Sequence, residues 1–145
     1  ARAIEIYRLT GVTQTEQARL DAQREGDYDE QVFALEWPRE MLYERISRRV
    51  DAMLAAGLID EVRRLKRDSA RYPTAAQAIG YKEIAAALDG RMDMDEAVER
   101  VKQATRNYAK RQLTWLRRDG RTQWISAENR TPAEIAEEIR ERCGI

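Results

Sequence analysis

The sequence contains no histidine, and that one absence removes imidazole general bases, Ser-His-Asp and Cys-His nucleophiles and every metal site that draws on histidine. Any proton transfer falls to Asp, Glu, Lys or Tyr. There is one cysteine, Cys143, so neither an intrachain disulfide nor a cysteine zinc cluster can form. It reads as a small apolar residue in a terminal helix, and the expected setting is a reducing cytoplasm. The seven glycines stand singly, at Gly11, Gly26, Gly57, Gly80, Gly90, Gly120 and Gly144. Neither GxGxxG nor GxxxxGK followed by Ser or Thr occurs, so the chain holds no phosphate loop. No stretch is apolar for long enough to cross a bilayer as a helix, and no membrane partner is expected.

What the chain has is charge. In 145 residues, 26 Lys+Arg and 26 Asp+Glu cancel to a formal net charge of zero. The length suits one domain and leaves no room for a large multidomain enzyme. Ala1 to Tyr7 already reads as the middle of a helix, without an initiator Met, so the chain is expected to be a piece of a longer protein.

Ala3, Ile4 and Tyr7 fall on one helical face that stops at Thr10-Gly11. A polar connector follows from Val12 to Glu30, partly helical around Thr15 to Arg24 and acidic from Asp27 to Glu30. Gln31 to Trp37 is the densest β-prone run and is expected as a buried strand, Trp37 being held extended by Pro38. Pro38 suits the first position of a helix carrying Leu42, Tyr43, Ile46, Val50, Met53 and Leu54 at helical spacing, which Gly57 closes. Further helices are expected from about Leu58 to Asp68, from Tyr81 to Gly90, and from about Asp95 to Arg118 with Asp93 as cap. Thr122 to Ser126 reads as a second strand, and Thr131-Pro132-Ala133-Glu134 opens a terminal helix with a capping box. Two strands with helices between them can pair in parallel, but their open edges call for neighbours or self-association.

The neutral total conceals an imbalance. From Arg100 to Arg121 there are eight bases (Arg100, Lys102, Arg106, Lys110, Arg111, Arg117, Arg118 and Arg121) against Asp119 alone. Lys102, Arg106 and Lys110 stack one turn apart, with Asn107, Arg111, Thr114 and Arg118 in the adjoining row. Met94, Val98, Val101, Tyr108 and Trp115 form the opposite, core-facing stripe, and Gln112 sits within it as a partly buried amide that either holds a loop or faces a ligand. Such a basic face fits a phosphate backbone, or it is a solvated surface whose counter-charges come from other helices. Arg39 opens a helix after a strand, where free amides favour anions. It either shares an anionic ligand with those amides, pairs with Glu36 or Tyr43, or points into solvent. Gly80 permits a positive φ before Tyr81, whose ring either stacks on a base or lies in the core with its hydroxyl satisfied.

Five segments carry a resemblance. They are Arg2 to Tyr7 ending in Thr10-Gly11; Arg39-Glu40-Met41-Leu42-Tyr43-Glu44-Arg45-Ile46; Arg49 to Leu54 leading to Gly57-Leu58 and Glu61-Val62; Ala78-Ile79-Gly80-Tyr81-Lys82-Glu83; and Thr105-Arg106-Asn107-Tyr108-Ala109-Lys110-Arg111-Gln112-Leu113-Thr114-Trp115. In that order they closely resemble the C-terminal half of the bacterial tRNA dimethylallyltransferase (tRNA isopentenyltransferase) family, and they cover nearly the whole chain. The resemblance implies a mainly α fold: the helical C-terminal portion of a P-loop-type α/β transferase, with two short strands, about 31–37 and 122–126, from the parent parallel sheet. Residues 1–11 would be the return helix from an inserted domain, 12–30 a connector and 31–145 part of the transferase core.

The activity implied is transfer of a dimethylallyl group from its diphosphate to N6 of the adenosine 3′ of the tRNA anticodon, with Mg2+, on a base turned out of its stack. The full-length protein would be a cytoplasmic monomer. Arg39 would contact the diphosphate. Gln77, Ala78, Ile79, Gly80, Tyr81 and Lys82, with Lys110, Arg111, Gln112, Leu113, Thr114, Trp115, Leu116 and Arg117, would contact the tRNA anticodon stem-loop. The family's phosphate loop, the Asp that accepts the N6 proton and the magnesium ligands lie in a half that this sequence does not contain, so the chain alone is expected to be inactive. The competing expectation is a helical protein-interaction module whose basic helix docks on an acidic partner.

Overall fold

A computed structural model describes residues 2–23, 30–67 and 73–145. The chain divides into two compact units, Ala1–Glu30 and Gln31–Ile145. Arg24, the acids at 27–29 and Asp68, all named in the expectations above, lie outside the described residues.

The first unit holds α1 (Arg2–Thr10) and α2 (Gln14–Gln23). The Thr10 hydroxyl donates back to the Ile6 carbonyl at 2.8 Å, and Gly11 takes the left-handed conformation that ends the helix. None of α1 is buried; Ile4 and Tyr7, read as an apolar face, are exposed.

The second unit begins with β1 (Val32–Glu36), which pairs in parallel with β2 (Thr122–Ser126), Ala34 opposite Trp124 and Leu35 opposite Ile125. The expectation of a buried strand is corrected: in β1 only Ala34 is buried and Leu35 is largely exposed. Phe33 and Trp37 share a face with Ile125 and Ala127 and pack there with Ile135 and Ile139; Leu35 lies on that same face yet stays largely exposed, while the buried Ala34 points to the other. Ile135 and Ile139 come from α7 (Pro132–Cys143), which starts with the expected capping box. The Glu134 amide donates to the Thr131 hydroxyl at 3.3 Å, and the Thr131 amide donates to the Glu134 carboxylate at 2.7 Å. Cys143 is the last residue of α7 and is partly buried.

The helical part comprises α3 (Arg39–Ala55), α4 (Leu58–Arg67), a short 3₁₀ turn at Ala75–Gln77, α5 (Tyr81–Leu88) and α6 (Met94–Arg118). Pro38 is the N-cap of α3, not its first helical residue. Its ψ of 136° is extended while its carbonyl accepts the first helical bond from the Leu42 amide at 2.9 Å. Gly57, at φ 100°, turns the chain from α3 into α4. The Asp93 carboxylate caps α6 by accepting from the Asp95 amide at 3.0 Å.

Val50, Leu58, Val62, Ile84, Ala97 and Val101 form the core between α3, α4, α5 and α6, with Met94 and Val98 packed against it. The stripe expected along α6 ends there. Tyr108 is 48% exposed and Trp115 68% exposed, because the C-terminal half of this 25-residue helix runs past the core. That projecting half, the start of α3 and the strand ends are the parts from which the site is built.

Candidate functional site

The C-terminal ends of two parallel strands, the start of α3 and the projecting half of α6 enclose a cleft of about 650 Å³. A position beyond the carboxyl ends of parallel strands is where open α/β sheets bind ligands. Trp37, Leu42 and Leu113 give it an apolar wall; Arg39, Tyr43, Lys110, Thr114 and Arg117 give a polar one, and Glu36, Ser126 and Glu128 line the strand-end side. Arg39 Nε donates to the Tyr43 hydroxyl at 3.1 Å and the guanidinium lies 5.3 Å from the centre of the same ring. Lys110 Nζ approaches that ring at 6.0 Å. Of the alternatives open for Arg39, the contact with Tyr43 is the one observed. Removal from water pushes the Tyr43 phenol up, but the hydrogen bond from Arg39 and the nearby positive groups of Arg39 and Lys110 outweigh it, holding the group below the ordinary tyrosine value.

The charges here are unevenly compensated. Arg117 reaches Glu36 at 3.4 Å and stacks 5.7 Å from the Trp124 ring. Among the described residues no carboxylate pairs with Arg39 or Lys110.

Across Leu42 lies a second cleft of about 810 Å³. Ile46, Val50, Met53, Ile79 and Val101 line it with apolar surface, while Arg49, Gln77, Lys82, Arg111 and Gln112 supply polar groups. Gln112 is exposed, which corrects the expectation of a partly buried amide.

The residues implied by the resemblance are thus sorted by the fold. Arg39, Lys110, Leu113, Thr114 and Arg117 meet in the first cleft, and Gln77, Ala78, Ile79, Lys82, Arg111 and Gln112 in the second. Gly80, Tyr81, Trp115 and Leu116 line neither. Tyr81 is a core ring: it packs against the helical cluster and its hydroxyl donates to Glu61, a bond that, with burial, raises the phenol above its usual value. Tyr43 and Arg49 also line the clefts and were not among the expected site residues. Tyr43 had a signal, since it lies one turn from Arg39; Arg49 is one cation among several on α3 and had none.

The 77–82 segment owes its shape to Gly80, which sits buried at φ 99° while its amide donates to the Glu83 carboxylate at 2.9 Å. A Cβ there would meet only Val101 Cγ1, at 4.0 Å, so the penalty for a larger residue is backbone strain and not a clash. Gly80→Ala is expected to lower stability by about 1–3 kcal/mol, measurable by urea unfolding. A stability unchanged from wild type would show that the turn relaxes without loss.

The basic face of α6 is narrower than its composition. The Lys102 side chain is only 15% exposed and bonds Asp51 at 2.9 Å and Glu99 at 3.3 Å, which raises its pKa. Arg100 pairs with Glu96 at 2.6 Å. Arg121 bonds Asp119, whose carboxyl falls to about 2 through that contact. Among the described residues, Arg106, Lys110, Arg111 and Arg118 have no carboxylate partner. Also among the described residues, no three acidic or cysteine side chains gather into a set able to hold a metal ion.

The family model described as IPP transferase matches residues 1–119. The tRNA dimethylallyltransferase of Halalkalibacterium halodurans is 46% identical over 124 residues, covering 86% of this chain and 40% of that protein. The protein of the same name from Carboxydothermus hydrogenoformans is 40% identical over 144 residues, covering 99% of this chain and 46% of its own length. The crystal structure of the tRNA delta(2)-isopentenylpyrophosphate transferase of Staphylococcus epidermidis matches with a TM-score of 0.78 at 37% identity, covering 99% of this chain and 46% of that one. The full-length tRNA isopentenylpyrophosphate transferase of Bacillus halodurans gives 0.77 at 30%, covering 98% of this chain and 50% of that one. The chain therefore spans half or less of the length of these relatives. Mainly helical, with two short parallel strands and a match over most of its length, this chain belongs to the IPP transferase family.

Proposed function

We propose that this chain is the C-terminal part of a tRNA dimethylallyltransferase and that it supplies the diphosphate contact and much of the RNA contact of the whole enzyme. One observation carries the reading: in the first cleft two cations without carboxylate partners among the described residues, Arg39 and Lys110, stand beside an apolar wall of Trp37, Leu42 and Leu113. Such a cleft matches a short isoprenyl diphosphate, whose two ends differ in the same way. In the reaction the bond from the allylic carbon to the adenosine N6 forms as its bond to the diphosphate oxygen breaks. Negative charge then grows on the departing diphosphate, and Arg39 at the start of α3 stabilises it there. The N6 proton goes to the acceptor Asp of the other half of the family's fold.

The second cleft and the basic projection of α6 take the RNA. Residues 1–11 form the return from the family's inserted domain, 12–30 a connector and 31–145 part of the transferase core. The whole protein acts as a cytoplasmic monomer. Lacking a phosphate loop and the acceptor Asp, the 145-residue chain by itself transfers nothing.

The test is to titrate a fluorescent anticodon stem-loop with the chain at several salt concentrations, and to incubate the two with dimethylallyl diphosphate and magnesium. Salt-sensitive binding without prenylated product is expected. Product formed by this chain alone would sink the assignment of the missing chemistry. Failure to bind the RNA, with tight binding of polyglutamate instead, would favour a protein-interaction module.

A further inference from the structure

We propose that Tyr43 is a positioning residue for the anion site, its hydroxyl tying down one edge of the Arg39 guanidinium so that the other edge is left for the ligand; this rests on the diphosphate reading of the first cleft. An arginine has five N–H donors in a rigid fork, and oxyanions are bound best by two parallel donors. Here Nε is committed to the Tyr43 oxygen at 3.1 Å. No carboxylate among the described residues takes the remaining donors, so the terminal amino groups are available for a bidentate oxyanion.

The ring itself has a second effect. Arg39 lies 5.3 Å and Lys110 6.0 Å from its centre, so one aromatic ring stands near two like charges that line the same cleft. The lowered phenol value is what a hydroxyl between two cations acquires. The cluster joins the first turn of α3 to α6, which makes the spacing of the two cations a property of the fold, not of two freely rotating side chains.

The experiment measures inorganic pyrophosphate binding by calorimetry to this chain and to Arg39→Ala, Tyr43→Phe and the double variant, with thermal unfolding of each as the folding control. Tyr43→Phe keeps the ring and removes only the acceptor, so it is expected to weaken binding roughly three- to tenfold without moving the unfolding midpoint. In the Arg39→Ala background the same change is expected to do nothing further, because there is no guanidinium left to orient. Wild-type affinity in Tyr43→Phe, or effects that multiply in the double variant, would overturn the proposal while leaving the cleft as a diphosphate site. Absence of pyrophosphate binding by the unsubstituted chain would remove both.

Discussion

Replacing Ile84 with alanine is expected to lower the unfolding free energy by about 2–5 kcal/mol. The side chain is fully enclosed, at 0% exposure, among Val50, Leu58, Val62, Ala97 and Val101. These residues come from α3, α4 and α6, so no single element can shift to close the space. A domain of this size holds a net stability of about 5–15 kcal/mol, so the decrease is a large fraction of the total. Urea unfolding followed by circular dichroism reads it as a lower midpoint at unchanged slope. Leu35→Ala removes the same side-chain volume from an exposed strand position and is expected to change stability by less than about 1 kcal/mol. Equal effects at the two positions would show that the helical cluster is not the centre of the fold. The effect also reaches function: α5 carries Lys82 and follows the turn that brings Gln77 to the second cleft, and Ile84 fixes α5 against α6.

The elements of this fold were legible where they are closed by local chemistry. β2 runs from Thr122 to Ser126 as its β-prone composition indicates, and the Thr131 capping box and Asp93 cap are formed as their spacing requires. Gly11, Gly57 and Gly90 end or follow helices where they were expected to, each at positive φ. Where the reading failed, the missing information was tertiary. Periodicity put Tyr108 and Trp115 on the face of α6 that carries Val101, and the direction is sound, but it does not say how far the facing helices extend. A helix of 25 residues is about 37 Å long and α5 is 8 residues, so the later turns of α6 pass beyond that partner. β1 was read as a buried strand for the same reason: a run of apolar residues does not reveal how far neighbouring elements extend over it, and Leu35 stays largely exposed on the very face where Phe33 and Trp37 pack.

The site shows the same division. Arg39 at the head of a helix after a strand was placed correctly, and its pairing with Tyr43 was one of the alternatives left open for it. Lys110 joining them across the cleft was not visible, since it lies on another helix about seventy residues along, and its approach depends on how α3 and α6 cross. The charge excess on α6 was countable, but not which of its cations are neutralised: Lys102 looks equivalent to Lys110 in the sequence, and only the fold places Asp51 beside the first and an open cleft beside the second. A basic row on a helix is therefore a poor guide to RNA contact until the acids of neighbouring elements are placed.

The pair Lys110→Ala and Arg111→Ala follows from that distinction, and binding of an anticodon stem-loop is expected to fall roughly ten- to hundredfold at low salt. The slope of log affinity against log salt should shrink by about 1 for each phosphate that is no longer neutralised. The two residues are adjacent in sequence but face different clefts, Lys110 the first and Arg111 the second, so neither can take over the other's role. The weakening should therefore be larger for the pair than for either substitution singly, and both parts should show the same salt signature. Arg100→Ala, which removes a cation already paired with Glu96, is expected to leave affinity and slope nearly unchanged although it alters net charge equally to either single substitution. That contrast separates local contact from general electrostatic attraction. If Arg100→Ala weakens RNA binding as much as Lys110→Ala does, the protein is attracting RNA through its overall field, and the clefts have no part in it.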